Sequence, residues 1–360
     1  DPDDCDSNGD NDGRKVRVSV YGASHTSADH FTGRIREVLQ RRWGDGGKGH
    51  MLPGPLYKWY GGQHISTCWS DGWLSDWQGK ANAHKDGRLG PAGMSISSSH
   101  SEEFGWLEVP KKGSAARGVS VFEVFTLAQP EGGHLEYWID NGTTQVIDTK
   151  AGRHQLQRTR VEVPDGVHRI TFRPRGDGEV RIFSVSMERK QGAIVDAMGV
   201  RGLEARTWLD WDEQFFTEGV RVLAPDLVVL AYGTNEAADQ SYSMDRYRTD
   251  LREVLGKMRR SFGSEAACIL AGPSDRGWDW KDGSYSIWSR TTPVAEVQRQ
   301  VSAEFDCAFW DWQQATGGEG SMIAWRLVEP PLASKDLIHH NRAGYRLVAD
   351  RFLAAIDALR

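Results

Sequence analysis

Five short apolar runs stand out along the chain, each with the length and composition of a buried strand. They are VRVSVYG (16–22), AIVDAMG (193–199), PDLVVLAYG (225–233), ACILAGP (267–273) and CAFWDW (307–312). Strands covered on both faces read as continuous apolar runs rather than as alternation, which marks a parallel sheet. Helical periodicity follows several of them. In SMDRYRTDLREVLGKMRRSF, Met244, Tyr247, Leu251, Val254, Leu255 and Met258 share one face. A last helix over about 341–358 places Tyr345, Val348, Phe352 and Ile356 likewise. Alternating strand and helix predicts an α/β fold, a parallel sheet with helices on both faces.

Residues 90–190 break that rhythm. GVSVFEVFTLA, HLEYWID, TQVIDT, QLQRTRVEV, VHRITFRP and EVRIFSVSME are short strand-like segments separated by Gly, Pro, Asp and Asn. That spacing predicts an antiparallel β-sandwich. It lies between the first and second parallel strands, so it reads as an insertion into an α/β domain of residues 15–89 and 191–360. Trp69, Trp73 and Trp77 recur every four residues, which on a helix makes one stripe, expected to pack against the insert.

Residues 1–14, DPDDCDSNGDNDGR, hold almost nothing apolar and read as a disordered leader or tether. The spacing of Asn8, Asp10, Asp12 and Gly13 resembles a calcium loop without the closing Glu. Of four cysteines, Cys268 and Cys307 sit in apolar, strand-like stretches and read as buried free thiols. Cys5 and Cys68 are candidates for a pair. None has metal-site spacing, and no metal or other cofactor is expected. The net charge of −6 gives no reason to expect a nucleic-acid partner, and no apolar run is long enough for a membrane span. Fifteen tryptophans are many, and most are expected in the core.

In open α/β sheets, ligands bind beyond the carboxyl ends of the strands. Ser24 follows the first apolar run, Gly202 the second and Asn235 the third. Asp336 and His339 come after the fifth, just before the last helix. Each alone is most often a turn, cap or surface residue. Together they make a set with complementary chemistry. A serine hydroxyl needs a base, which His339 can supply, and Asp336 three residues earlier can hold the imidazole. The backbone N–H groups of Ser24 and Gly202 and the side-chain amide of Asn235 can serve as oxyanion donors.

In this order the residues resemble the SGNH/GDSL hydrolase family. YGASHT is similar to its first block, GVRG (199–202) to the second, GTNE (233–236) to the third and DLIH (336–339) to the last. The resemblance covers 16–85 and 191–360. It implies a flavodoxin-like parallel sheet with Ser24 as nucleophile, His339 as base, Asp336 as its orienter, and Ser24, Gly202 and Asn235 as oxyanion donors. Residues 24–50 and GGEGSMIAW (317–325) resemble a bacterial branch containing peptidoglycan O-acetylesterases, which can carry an inserted jelly-roll-like, carbohydrate-binding-module-like β domain. That implies deacetylation of an O-acetylated glycan, peptidoglycan or another polysaccharide, by a secreted or cell-envelope enzyme.

One departure stands out. The family's first block is Gly-Asp-Ser, and here it is Gly22-Ala23-Ser24. Ala23 is the main support for the alternative, a glycan-binding or scaffold protein whose hydrolase fold has lost activity. His25 is not expected to be the base, because adjacent side chains diverge. An α/β-hydrolase elbow, G-x-S-x-G, is not matched, since Thr26 stands where the second Gly belongs. Trp278 and Trp280 follow the fourth strand and are candidate substrate contacts.

Overall fold

The computed structural model describes residues 13–58, 60–77, 84–110 and 112–358. Most of the acidic leader, including its calcium-loop-like run up to Asp12 and Cys5, lies outside the described residues.

The five apolar runs form one sheet. Gly192–Gly199 is at one edge, followed by Lys15–Gly22, Leu227–Ala231, Ala267–Ala271 and finally Ala308–Trp310. Counted in chain order this is 2-1-3-4-5, the flavodoxin-like arrangement. Leu227–Ala231 pairs in parallel with Ala267–Ala271 residue for residue, and Ile269–Ala271 pairs with Ala308–Trp310. Strand order reverses between the first and third strands. A cleft opens at that point because the connections leave in opposite directions, and Ser24 stands at the end of the first strand.

The helices form as their periodicity requires. Met244–Phe262 is capped by Ser243, whose side chain accepts from Arg246 N, and buries Tyr247, Leu251, Val254, Leu255 and Met258. Arg342–Asp357 is capped by Asn341, whose side chain accepts from Gly344 N, and buries Tyr345, Val348 and Phe352. These residues build the hydrophobic layers that hold the sheet.

Cys268 and Cys307 are joined by a disulfide. The expectation of two free thiols is therefore corrected. Both lie at the starts of neighbouring parallel strands, where adjacent Cα atoms come within bridging range, 4.6 Å here. In the chain-entropy model, closing a loop of 39 residues' separation restricts the unfolded chain by about 4 kcal/mol. Cys68 is exposed.

The insertion is built mainly on antiparallel strand pairs. Gln155–Gly166, Val119–Ala128, Val180–Glu188, Met94–Ser98 and Leu74–Trp77 lie side by side, and Gly47–Met51 also pairs with Val180–Glu188. A second sheet runs Ser66–Trp69, Gly105–Glu108, Arg169–Pro174, His134–Ile139 and Gln145–Asp148. Antiparallel pairing thus begins at Gly47, well before residue 90. Val119–Ala128 and Val180–Glu188 are buried at every position, so these two central strands are covered on both faces. The chain divides into two compact units. One comprises the segment up to Val18, Arg36–Asp76 and Gly90–Asp196, and the other Ser19–Ile35, Trp77–Leu89 and Ala197–Arg360. Trp69 and Trp77 lie on strands and Trp73 between them, so the expected helical stripe is not formed. Trp73 and Trp77 are buried all the same.

Candidate active site

Ser24 opens a single helical turn, Ser24–Ser27, directly after the first strand. Two close approaches make that turn possible. A side chain at Gly22 would lie 2.7 Å from the carbonyl of Ala231 on the neighbouring strand, and one at Gly199 would lie 2.7 Å from the backbone of Thr26. Only glycine leaves room at either position. The Ala23 carbonyl accepts from Thr26 N (3.1 Å) and Ser27 N (3.0 Å), which fixes the turn with alanine in place.

His339 Nε2 is 2.8 Å from Ser24 Oγ, and His339 Nδ1 is 2.7 Å from Asp336 Oδ2. Asp336 Oδ1 also accepts the backbone N–H groups of Ile338 and His339, both at 3.0 Å. Partial burial pushes the Asp336 pKa up, but the hydrogen bond from the imidazole and the two backbone donors outweigh it. They hold the carboxyl well below the usual range. Asp336 is thus an anion at any pH near neutral, and its loop closes on itself with Leu337 in the left-handed region at φ 55°.

The neighbouring histidines are engaged elsewhere. His25 is buried, with Nδ1 2.7 Å from the Tyr345 hydroxyl and Nε2 3.0 Å from Ser274 Oγ. Burial, then the nearby His339 and His340, lower its pKa well below the ordinary histidine value, so it is neutral. His340 stacks on Trp312 and accepts from its indole N–H at 3.2 Å. Burial pulls His340 down to about 3. The two buried rings pack behind His339, with the His25 and His339 ring centres 5.2 Å apart.

The other two sequence blocks are tied to each other. Asn235 lies in the turn Thr234–Ala238, and its Nδ2 donates to Leu203 O at 2.7 Å. An amide nitrogen carries two hydrogens, so one remains for a ligand. Gly202 is exposed, at φ 78°, with open space where a side chain would be. Val200 N donates to Gly22 O at 3.0 Å, which links this loop to the strand end that carries Ser24. Glu236 bridges the blocks through Ala205 N (2.7 Å) and Gly233 N (2.8 Å). Burial, opposed by those backbone donors, raises its pKa to about 7.

Trp278 and Trp280 lie on and beside a hairpin, Gly277–Asp279 paired with Tyr285–Ile287. They are 45% and 59% exposed, high values for tryptophan. With Trp288, Gln240 and Arg290 they line a concavity of about 530 Å³. Gly277 N donates to Leu337 O (2.9 Å), joining the hairpin to the Asp336–His339 loop. Trp288 Nε1 donates to Ala237 O (2.7 Å), joining it to the Asn235 turn.

Sequence reasoning missed Tyr345, Ser274 and Glu236 as supports. His25 and Glu236 each sit beside a candidate site residue, Ser24 and Asn235, and that adjacency was the available signal. No cluster of metal-ligating side chains occurs among the described residues.

Residues 173–347 match the model of the GDSL-like Lipase/Acylhydrolase family. Over that stretch the chain matches the GDSL/SGNH hydrolases. The match takes in Gly202, Asn235, Asp336 and His339 and ends well short of Ser24, which the fold itself brings to His339. A solved peptidoglycan O-acetylesterase is similar at 24% identity over 96% of this chain and 92% of that one, with a TM-score of 0.77. It shares the fold, including the antiparallel sheets. A lipase/acylhydrolase from Enterococcus faecalis is 21% identical over 46% of this chain and 77% of its own, with a TM-score of 0.35. A salicylyl-acyltransferase from a tetracycline biosynthetic pathway is 14% identical over 86% and 97%, with a TM-score of 0.37. Scores this low add nothing to the fold assignment. No curated protein sequence matches the chain.

Proposed function

We propose that this protein is a serine esterase that removes O-acetyl groups from a glycan. The observation that carries the reading is the continuous relay from Ser24 Oγ through His339 to Asp336. In this mechanism Ser24 Oγ attacks the acetyl carbonyl carbon while its proton passes to His339 Nε2. The Asp336 carboxylate holds the Nδ1 proton and stabilises the imidazolium. The oxyanion is met by the N–H groups of Ser24 and Gly202 and the amide of Asn235. His339 then gives its proton to the departing sugar oxygen, and water, activated by the same imidazole, releases acetate from Ser24.

Three further observations support the acetylated-glycan assignment. The chain's fold is that of a peptidoglycan O-acetylesterase. The exposed Trp278 and Trp280 offer flat apolar faces of the kind that cover a pyranose ring. The Cys268–Cys307 disulfide fits a secreted or cell-envelope protein, where thiols oxidise. No described helix is long and apolar enough to cross a membrane. The test is acetate release from a panel of O-acetylated glycans, with Ser24→Ala alongside. Release that depends on Ser24 is expected. Binding of glycans without Ser24-dependent turnover would instead favour an inactive, glycan-binding protein.

A further inference from the structure

Arg276 lies between the buried Ser274–Asp275 pair and the tryptophan hairpin. Asp275 is fixed by Gln313 Nε2 (2.9 Å) and Met322 N (3.0 Å), so the chain entering Arg276 is held firmly. The Arg276 guanidinium lies over the Trp288 ring, 4.9 Å from its centre. No side-chain hydrogen bond or ion pair to it is formed among the described residues, and its Nε is buried without a partner. Asp336 is near enough to favour its charge, but both Asp336 oxygens are already taken by Ile338 N, His339 N and His339 Nδ1.

An arginine at the surface can stay unpaired because water solvates it. Partial burial of a guanidinium without an anion is costly, and an anion held by its terminal Nη groups offsets that cost. A guanidinium seated over an indole, with its terminal Nη groups free of protein partners among the described residues, matches a carboxylate.

We propose that Arg276, seated on Trp288, is a subsite for a sugar carboxylate beside the Ser24 relay, so that the substrate is an O-acetylated glycan whose sugars carry carboxyl groups. This rests on the esterase reading and narrows it. Neutral acetylated polysaccharides leave Arg276 unpaired and are the poorer ligands. The carboxylate has two natural sources, a uronic acid ring and the lactyl ether of N-acetylmuramic acid.

The test is binding to the full-length Ser24→Ala protein, which turns nothing over, followed by calorimetry or tryptophan fluorescence. Two pairs of sugars are compared. One is trigalacturonic acid with its carboxyl-reduced trimer, and the other is N-acetylglucosaminyl-N-acetylmuramic acid with diacetylchitobiose. In at least one pair the carboxylated sugar is expected to bind about tenfold tighter, as befits a charge-assisted contact, and the pair that responds identifies the source. Arg276→Gln should abolish the advantage, Arg276→Lys should keep part of it, and salt should weaken it. The comparison is made within each variant, so a general loss of affinity does not imitate the result. Equal binding within both pairs, no binding of any sugar, or an advantage that survives Arg276→Gln would overturn the proposal. Hydrolysis of p-nitrophenyl acetate by the wild-type protein is measured separately. Ser24-dependent turnover without a carboxylate preference leaves the esterase reading intact and removes this one. A preference without turnover does the reverse.

Discussion

His339 meets Ser24 across 315 residues of sequence, Nε2 to Oγ at 2.8 Å, while its other nitrogen is held by Asp336. The proposed role of His339 as base predicts a loss of at least about a thousandfold in kcat for His339→Ala, because members of such a relay act as a unit. Asp336→Asn should cost about a hundredfold or more, since the imidazolium loses its counter-charge. His340→Ala should lower the melting temperature and leave kcat within about tenfold, because that ring is packed against Trp312. Steady-state kinetics on p-nitrophenyl acetate check all three. A His340 variant that fails while the His339 variant works would shift the base by one residue.

Asn235→Ala should lower kcat by about a hundredfold or more with little change in KM, as expected for a donor that acts in the transition state. It should also cost about 1 kcal/mol of stability, because the Leu203 carbonyl loses its partner. A raised KM with normal kcat would make Asn235 a substrate-binding residue instead.

The parallel sheet was legible because each of its strands is a continuous apolar run, and burial on both faces demands that pattern. The antiparallel strands from Val119 onward were legible because turn residues separate them. Gly47–Met51, Ser66–Trp69 and Leu74–Trp77 were not. They are short, rich in Gly, Ser and Trp, and find their partners only in distant segments. The four-residue spacing of Trp69, Trp73 and Trp77 imitated a helix for the same reason. The disulfide was hidden because an apolar strand suits a thiol and a bridged cysteine equally. In the candidate site, Ser24, Gly202, Asn235, Asp336 and His339 were proposed from motif spacing. The contacts of His25 with Tyr345 and Ser274 and the isolation of Arg276 depend on tertiary placement.

Glu236 should make stability pH-dependent. Its pKa in the folded protein is raised from 4.5 to about 7, so between those values the folded state keeps a proton that the unfolded state releases. Stability is therefore lost as pH rises from about 4.5 through 7, by an amount on the order of 3 kcal/mol. Glu236→Gln does not titrate and should lack this slope. Urea unfolding at pH 5 and pH 8 checks it, and parallel pH trends in both proteins would count against it.

Removing the Cys268–Cys307 bridge by double substitution to serine should lower stability by up to about 4 kcal/mol. The bridge joins strand starts, away from the carboxyl-end loops that carry Ser24, so kcat at low temperature should be nearly unchanged. Denaturant melts and esterase rates on the same preparation separate the two effects.

The central claim is that Ser24 becomes acetylated during turnover. Wild-type protein is mixed rapidly with p-nitrophenyl acetate, quenched in acid, digested and analysed by mass spectrometry. The account predicts one acetyl group on the peptide containing Ser24, formed at the rate of p-nitrophenolate release, absent in Ser24→Ala and strongly reduced in His339→Ala. Turnover with no acetyl group on Ser24, or with undiminished rate in Ser24→Ala, would contradict it.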